Sequence, residues 1–111
     1  MHIMSIPLKQ EWCFIQLLSH TTVDQVKALV KTITDKQLLA ICEIVLNILE
    51  ANLCVTPQKL KHLKKNKTFL RGLASKEISL GKKRRALQSK YKVIVYLLQA
   101  VRPLLETIVK Q

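Results

Sequence analysis

Apolar residues recur every three or four positions along most of this chain, the spacing that places them on one side of an α-helix. The first stripe comprises Leu8, Trp12, Ile15 and Leu18, with Phe14 beside it. Pro7 precedes this stripe, and proline suits the first turn of a helix because its missing N–H would have no helical partner there. The pattern therefore predicts a helix that begins near Pro7 and ends before the polar stretch 19–22.

Two capping boxes predict where the next helices begin. Thr22 is followed three residues later by Gln25, and the same spacing joins Thr34 to Gln37. In such a box each side chain bonds to the backbone N–H of the other residue, which stabilises the first helical turn. The second helix carries the apolar residues Val23, Val26, Leu29, Val30 and Ile33. The third, about 35–51, is apolar on so many sides that we expect it to be largely buried, through Leu38, Ile41, Cys42, Val45, Leu46, Ile48 and Leu49.

A basic helix is predicted to follow, with Thr56 as its N-cap and Pro57 as its first residue. Leu60 and Leu63 lie on one side of it, and lysines surround them. Residues 68–76 either continue this helix or form a further turn. Their apolar residues Phe69, Leu70 and Leu73 are predicted to point inward.

The last helix is predicted to begin after Ser79 and to carry one apolar seam along its whole length. The seam residues are separated by alternating steps of four and three, and only Arg84 interrupts them: Leu80, Arg84, Leu87, Tyr91, Ile94, Leu98, Val101, Leu105 and Ile108. Lysine and arginine surround the seam in the first half, which we expect on the surface. Apolar residues widen it in the second half, 93–108, which we expect in the core or against a second copy or a capsid partner. Pro103 predicts a bend or a restart of the helix near 101–104.

These elements predict an all-α fold, a compact bundle of four to five helices with a long C-terminal amphipathic helix. The chain has 111 residues, which fit a single domain over 1–111. Hydrophobic residues make up 49% of it, enough for a core, and only two glycines and three prolines interrupt the helical pattern.

The net charge of +12 is concentrated in one part of the sequence. Residues 56–92, the basic segment, hold thirteen of the nineteen lysines and arginines and one acid, Glu77, which gives them +12. Residues 1–55 sum to −1 and residues 93–111 to +1. A field of this kind attracts nucleic acid, anionic lipid or an acidic protein, although a solvated surface without a partner would have the same composition.

The candidate binding residues are cations of the basic segment: Lys61, Lys64, Lys65, Lys67, Arg71, Lys82, Lys83, Arg84, Arg85, Lys90 and Lys92. The run 82–85 spans a full helical turn, so at least two of its four cations must face solvent. If the two basic helices pack antiparallel, their cations can form one patch that binds phosphates without reading sequence. Residues 82–85 also match a short nuclear-import signal, a pattern common by chance.

Few aromatic residues are available for stacking on bases. Tyr91 belongs to the seam, and Phe69 is predicted to point inward. We therefore expect backbone contacts to duplex nucleic acid rather than recognition of a single strand.

No motif in the sequence indicates an enzyme. His2, His20 and His62 are far apart and do not pair with cysteines at ligand spacing, so we expect no metal site. No serine or cysteine has a histidine placed beside it by a motif, and glycine-rich phosphate loops are absent from the sequence. We expect no cofactor.

The cysteines and the apolar runs predict a soluble, intracellular protein. Cys13 and Cys42 fall among apolar residues at helical spacing, as reduced core cysteines do. The first residues lack the pattern of a signal peptide. The longest apolar run, 93–98, is far shorter than the ~20 residues that a membrane span needs.

Two stretches carry a resemblance. Residues 32–53 contribute Thr34, Asp35, Gln37, Leu38, Ile41, Glu43, Asn47 and Asn52, and residues 70–87 contribute Leu73, Ser79, Leu80, Lys82, Arg84 and Leu87. Together they resemble short basic proteins encoded by Maverick/Polinton elements and the related adintoviruses of animals. Those elements carry adenovirus-like virion genes, so the resemblance implies a virion- or genome-associated role. The group often has a glycine-rich apolar tail after its basic run, whereas residues 89–92 here begin an ordinary amphipathic stretch.

The sequence thus favours nonspecific binding of duplex DNA, in the host nucleus or the virion of a virus or virus-derived element. Two other functions stay open. The basic face could dock an acidic partner of a minor capsid or scaffold protein, or it could bind anionic membrane.

Overall fold

The computed structural model describes residues 9–50 and 57–109, and within these ranges the chain forms α-helices without a strand. In chain order the helices are α1 (Trp12–His20), α2 (Val23–Lys31), α3 (Asp35–Leu49), α4 (Pro57–Lys64), α5 (Lys67–Ala74), α6 (Leu80–Ser89) and α7 (Tyr91–Val109). The all-α prediction is confirmed. Pro7, Cys54 and Thr56 lie outside the described residues, as do the side chains at 59, 60, 62, 105 and 107–109.

Three helices begin at the caps that the sequence predicts. Thr22 accepts a hydrogen bond from the backbone N–H of Gln25 at 3.2 Å, and the Gln25 side chain accepts one from the backbone of Thr22 at 3.4 Å. Thr34 and Gln37 form the same box at 3.1 and 2.9 Å. Ser79 caps α6 by accepting from the backbone N–H of Lys82 at 3.3 Å. Each cap satisfies backbone donors that a first helical turn leaves unpaired.

The core lies between α3, which packs against α1, α5 and α6, and α7, which packs against α1 and α2. The radius of gyration is 12.8 Å, close to the ~13 Å of a compact domain of this length. Within the described residues, no helix is both long enough and apolar enough to cross a bilayer. The largest fully buried side chains of the described residues are Ile15, Leu18, Leu38, Ile41, Ile44, Leu63, Leu73, Leu87, Ile94, Leu97 and Leu98.

The seam of the last predicted helix is buried within the chain wherever its side chains are described in α7. Ile94, Leu98 and Val101 are at most 1% exposed, and they belong to the same apolar cluster as Val26 and Val45. This burial leaves little of these three seam side chains for a second copy or a capsid partner to contact. The side chains of Leu105 and Ile108 lie outside the described residues.

Of the two alternatives predicted at Pro103, a bend or a restart, the restart is wrong, because α7 continues through Pro103 to Val109. Pro103 and Gln99, four residues before it, are both exposed. Water can therefore reach the backbone carbonyl that a proline leaves without its helical donor. The break falls instead at Lys90, which adopts φ −117° and ψ 39° between α6 and α7. No glycine or proline marks that position.

The basic segment after Thr56, where the sequence allowed one continued helix or a further turn, forms two helices, α4 and α5, with a turn at Asn66 where φ is −114° and ψ is 27°.

Three residues that the sequence predicts to be buried are exposed instead. Cys13 is exposed because it lies on the side of α1 opposite the buried Ile15. Val23 and Leu49, the first and last residues of their helices, are 40% and 41% exposed.

Candidate nucleic-acid interface

The run of four cations in α6 divides between solvent and protein. Lys82 and Arg85 are exposed, as the helical geometry predicts for at least two of the four. Lys83 is only 8% exposed, and the side chain of Arg84 is 27% exposed. The outward pair can contact a polyanion directly, whereas the inward pair is held by the protein.

Arg84 attaches α6 to the connection between α2 and α3. Its guanidinium donates to the backbone carbonyl of Ile33 and forms an ion pair with the carboxylate of Asp35. Gln88, one turn later on the same side of α6, donates to the carbonyl of Val30 at 3.2 Å. The last carbonyls of a helix have no helical partner, so Gln88 satisfies one at the end of α2. Arg84 fixes α6 against the connection that follows α2. The polar residue that interrupts the seam is therefore structural.

Lys83 points between α3, α5 and α6, where it lines a depression together with Cys42 and Leu73. Burial raises the pKa of the Cys42 thiol, and the positive charge of Lys83 offsets part of that rise. A buried, protonated thiol reacts slowly, so this pair offers no nucleophile. The long apolar stem of a lysine can pack in such a position while its ammonium group stays near the surface.

All the other candidate site residues are exposed: Lys61, Lys64, Lys65, Lys67, Arg71, Lys82, Arg85, Lys90 and Lys92. The structure brings three of them to two adjoining depressions between α5 and α6, which share Thr68, Phe69 and Ala86 and which we together call the α5–α6 groove. Lys65 and Lys90 line one end of it, and Lys82 lines the other. Lys65 of the cluster 64–67 thus lines the same groove as Lys82 and Lys90 of the cluster 82–92.

The α5–α6 groove carries uncompensated positive charge. Its described lining residues include no aspartate or glutamate, and its polar neutral residues are Asn66, Thr68 and Ser89. The ion pair of Arg84 with Asp35 lies on another side of α6. Because like charges repel one another, an arrangement of this kind is favourable when a polyanion is bound.

Phe69 packs against the core, as predicted, but it is only half-buried. It also lines both ends of the groove beside Thr68 and Ala86. The spacing of four residues between Lys65 and Phe69 is the sequence signal for this arrangement, because residues four apart in a helix lie on the same side. Tyr91 is half-buried as well, and the ammonium group of Lys27 lies 5.9 Å from the centre of its ring.

Within the described ranges, no three histidine, cysteine, aspartate or glutamate side chains come together as metal ligands would. Comparison of the chain with protein-family models, with curated proteins and with solved structures finds no match in any of the three.

Proposed function

We propose that this protein binds the phosphate backbone of duplex DNA without sequence preference, through the exposed cations of the basic segment. The observation that carries the proposal is the α5–α6 groove, where Lys65, Lys82 and Lys90 meet without an acidic residue in the described lining. Lysine and arginine neutralise phosphates and release the counterions that surround DNA, which gives affinity for any sequence.

The folded core supports the proposal by giving the cations a fixed surface. α6 is attached to the rest of the protein through Arg84, Gln88 and the buried Leu87. Lys82 and Arg85 therefore project from a helix whose orientation is set before any ligand arrives. A preorganised surface loses less conformational entropy on binding than a disordered basic tail does.

We further propose that the DNA is the genome of a virus or virus-derived element. The resemblance of residues 32–53 and 70–87 to short basic proteins of Maverick/Polinton elements supports this setting. The packing of Ile94, Leu98 and Val101 inside the chain gives the alternative of a capsid partner on that surface no support.

Equilibrium binding to three polyanions tests the proposal: a 30-base-pair duplex, vesicles rich in phosphatidylserine, and polyglutamate of matched charge. If about five phosphates are contacted, the duplex affinity falls roughly 500-fold between about 50 and about 200 mM salt. We expect the duplex to bind more tightly than either competitor at the higher salt concentration. Tighter binding to vesicles would favour the membrane function, and tighter binding to polyglutamate would favour an acidic protein partner.

A further inference from the structure

The α5–α6 groove combines two chemical features that phosphate binding alone does not need. Its rim is cationic, through Lys65, Lys82 and Lys90. Its floor is apolar and is formed by Phe69 and Ala86 along both ends, with Leu73 at one of them. A duplex backbone contacts a rim, but it has no group that would fill an apolar floor.

The base of an unpaired nucleotide has the chemistry to fill this floor. Aromatic side chains bind exposed bases by stacking, and neighbouring lysines bind the phosphates on either side. Phe69 is half-buried and packs against the core, which fixes its ring while leaving part of it accessible. Tyr91 is the other aromatic residue of the basic segment, but Lys27 already lies over its ring.

We propose that the α5–α6 groove accepts the base of an unpaired nucleotide against Phe69. Lys65 and Lys90 bind a phosphate at one end of the groove, and Lys82 binds a phosphate at the other. This inference rests on the proposed function, because the same three lysines contact nucleic acid in both.

The expected consequence is a preference for nucleic acid that contains unpaired bases. A duplex with a short single-stranded gap offers the backbone contacts of the duplex and, in addition, bases that reach the groove. Since stacking of one base on an aromatic side chain strengthens binding by about fivefold or more, the gapped duplex binds at least about fivefold more tightly than the intact one.

Two variants test the role of the groove without changing its charge. Phe69→Leu removes the aromatic ring and keeps an apolar side chain against the core. Ala86→Met fills the floor from α6, where Ala86 is half-buried. Phe14→Leu is the matched control, because Phe14 is equally half-buried against the core but lies on α1, away from the groove. Thermal melts first establish that each variant is folded.

Affinities for the gapped and the intact duplex are measured for every protein at one salt concentration. We expect Phe69→Leu and Ala86→Met to bind both probes with the affinity that the original protein has for the intact duplex. Phe14→Leu should retain the preference for the gap. If Phe69→Leu does not fold, Ala86→Met alone decides the outcome.

Different binding results would overturn this inference and the proposed function. If the original protein binds the two probes equally, or if both folded groove variants keep the preference, the inference is overturned and duplex binding stands. If the original protein binds neither probe, both proposals are overturned together.

Discussion

α6 and α7 follow one another in the chain and share one apolar seam, but they contribute differently to the molecule. In α6 the buried residues are Leu87 on the seam and Lys83 beside it. In α7 the residues beside the seam are buried too, with Leu97 completely inaccessible and Val95 only 5% exposed. α6 therefore lies on the core with one side, whereas α7 forms part of the core.

An inward arginine attaches each of these helices to an earlier part of the chain. Arg84 of α6 donates to the carbonyl of Ile33, and Arg102 of α7 lies 3.4 Å from the carbonyl of Ser19 near the end of α1. The two helices are thus fixed in similar ways. What distinguishes them is the composition of the positions beside the seam, since cations there keep α6 at the surface and apolar residues draw α7 inside.

The largest expected effect is on α7. Leu98→Ala should lower the free energy of unfolding by about 2–5 kcal/mol, because it leaves a cavity where Leu98 is now 1% exposed. Urea unfolding measures the loss, and the exposed neighbour variant Gln99→Ala should stay within about 0.5 kcal/mol of the original protein. A loss for Leu98→Ala no larger than that of the control would contradict the assignment of α7 to the core.

A smaller effect is expected from the inward arginine of α6. Arg84→Gln should lower the free energy of unfolding by about 1–2 kcal/mol, because the Ile33 carbonyl and Asp35 lose their partner. The expected loss of stability is small because the Asp35 side chain is 67% exposed, and exposed ion pairs contribute little.

Arg85→Gln provides the matched control for Arg84→Gln. It removes the same charge from the next residue of α6, which is exposed, and should change stability by less than about 0.5 kcal/mol. Equal stabilities of the two variants would show that Arg84 does not attach α6 to the α2–α3 connection.

The smallest expected effect concerns α5, which forms the other wall of the groove. Gly72→Ala should raise the free energy of unfolding by about 0.5–1 kcal/mol, because alanine favours a helix over glycine. A Cβ atom at this position would lie 3.6 Å from Cδ1 of Ile78, which is an ordinary contact. Thermal melts test the gain, and a decrease in stability would mean that Ile78 cannot accommodate the methyl group.

The starts of three helices and most of the core could be predicted from the sequence. Thr22, Thr34 and Ser79 are local signals, since a cap acts on the backbone within three residues, and all three form as predicted. The seam through Leu87, Ile94 and Leu98 was also predictable, because periodicity shows which side of a helix is apolar.

Several of the failures have a common physical origin in contacts between distant parts of the chain. Periodicity did not show that Arg84 would meet Ile33 and Asp35, because that contact depends on how α6 packs against α2 and α3. The break at Lys90 likewise depends on packing, since its local sequence lacks a helix-breaking residue. For the same reason the meeting of Lys65 with Lys90 was stated only as conditional on antiparallel packing.

The central claim is that the outward cations of α6 bind DNA because of where they lie, and not merely because they add to the net charge. Lys82→Gln combined with Arg85→Gln tests it against Lys9→Gln combined with Lys36→Gln, which removes two exposed cations outside the basic segment. The measurement is the slope of log affinity for duplex DNA against log salt concentration. We predict that the α6 pair lowers the magnitude of this slope by about 2, close to 0.9 for each lost phosphate contact, while the control pair leaves it unchanged. Equal changes in the two double variants, or no change in either, would contradict the claim.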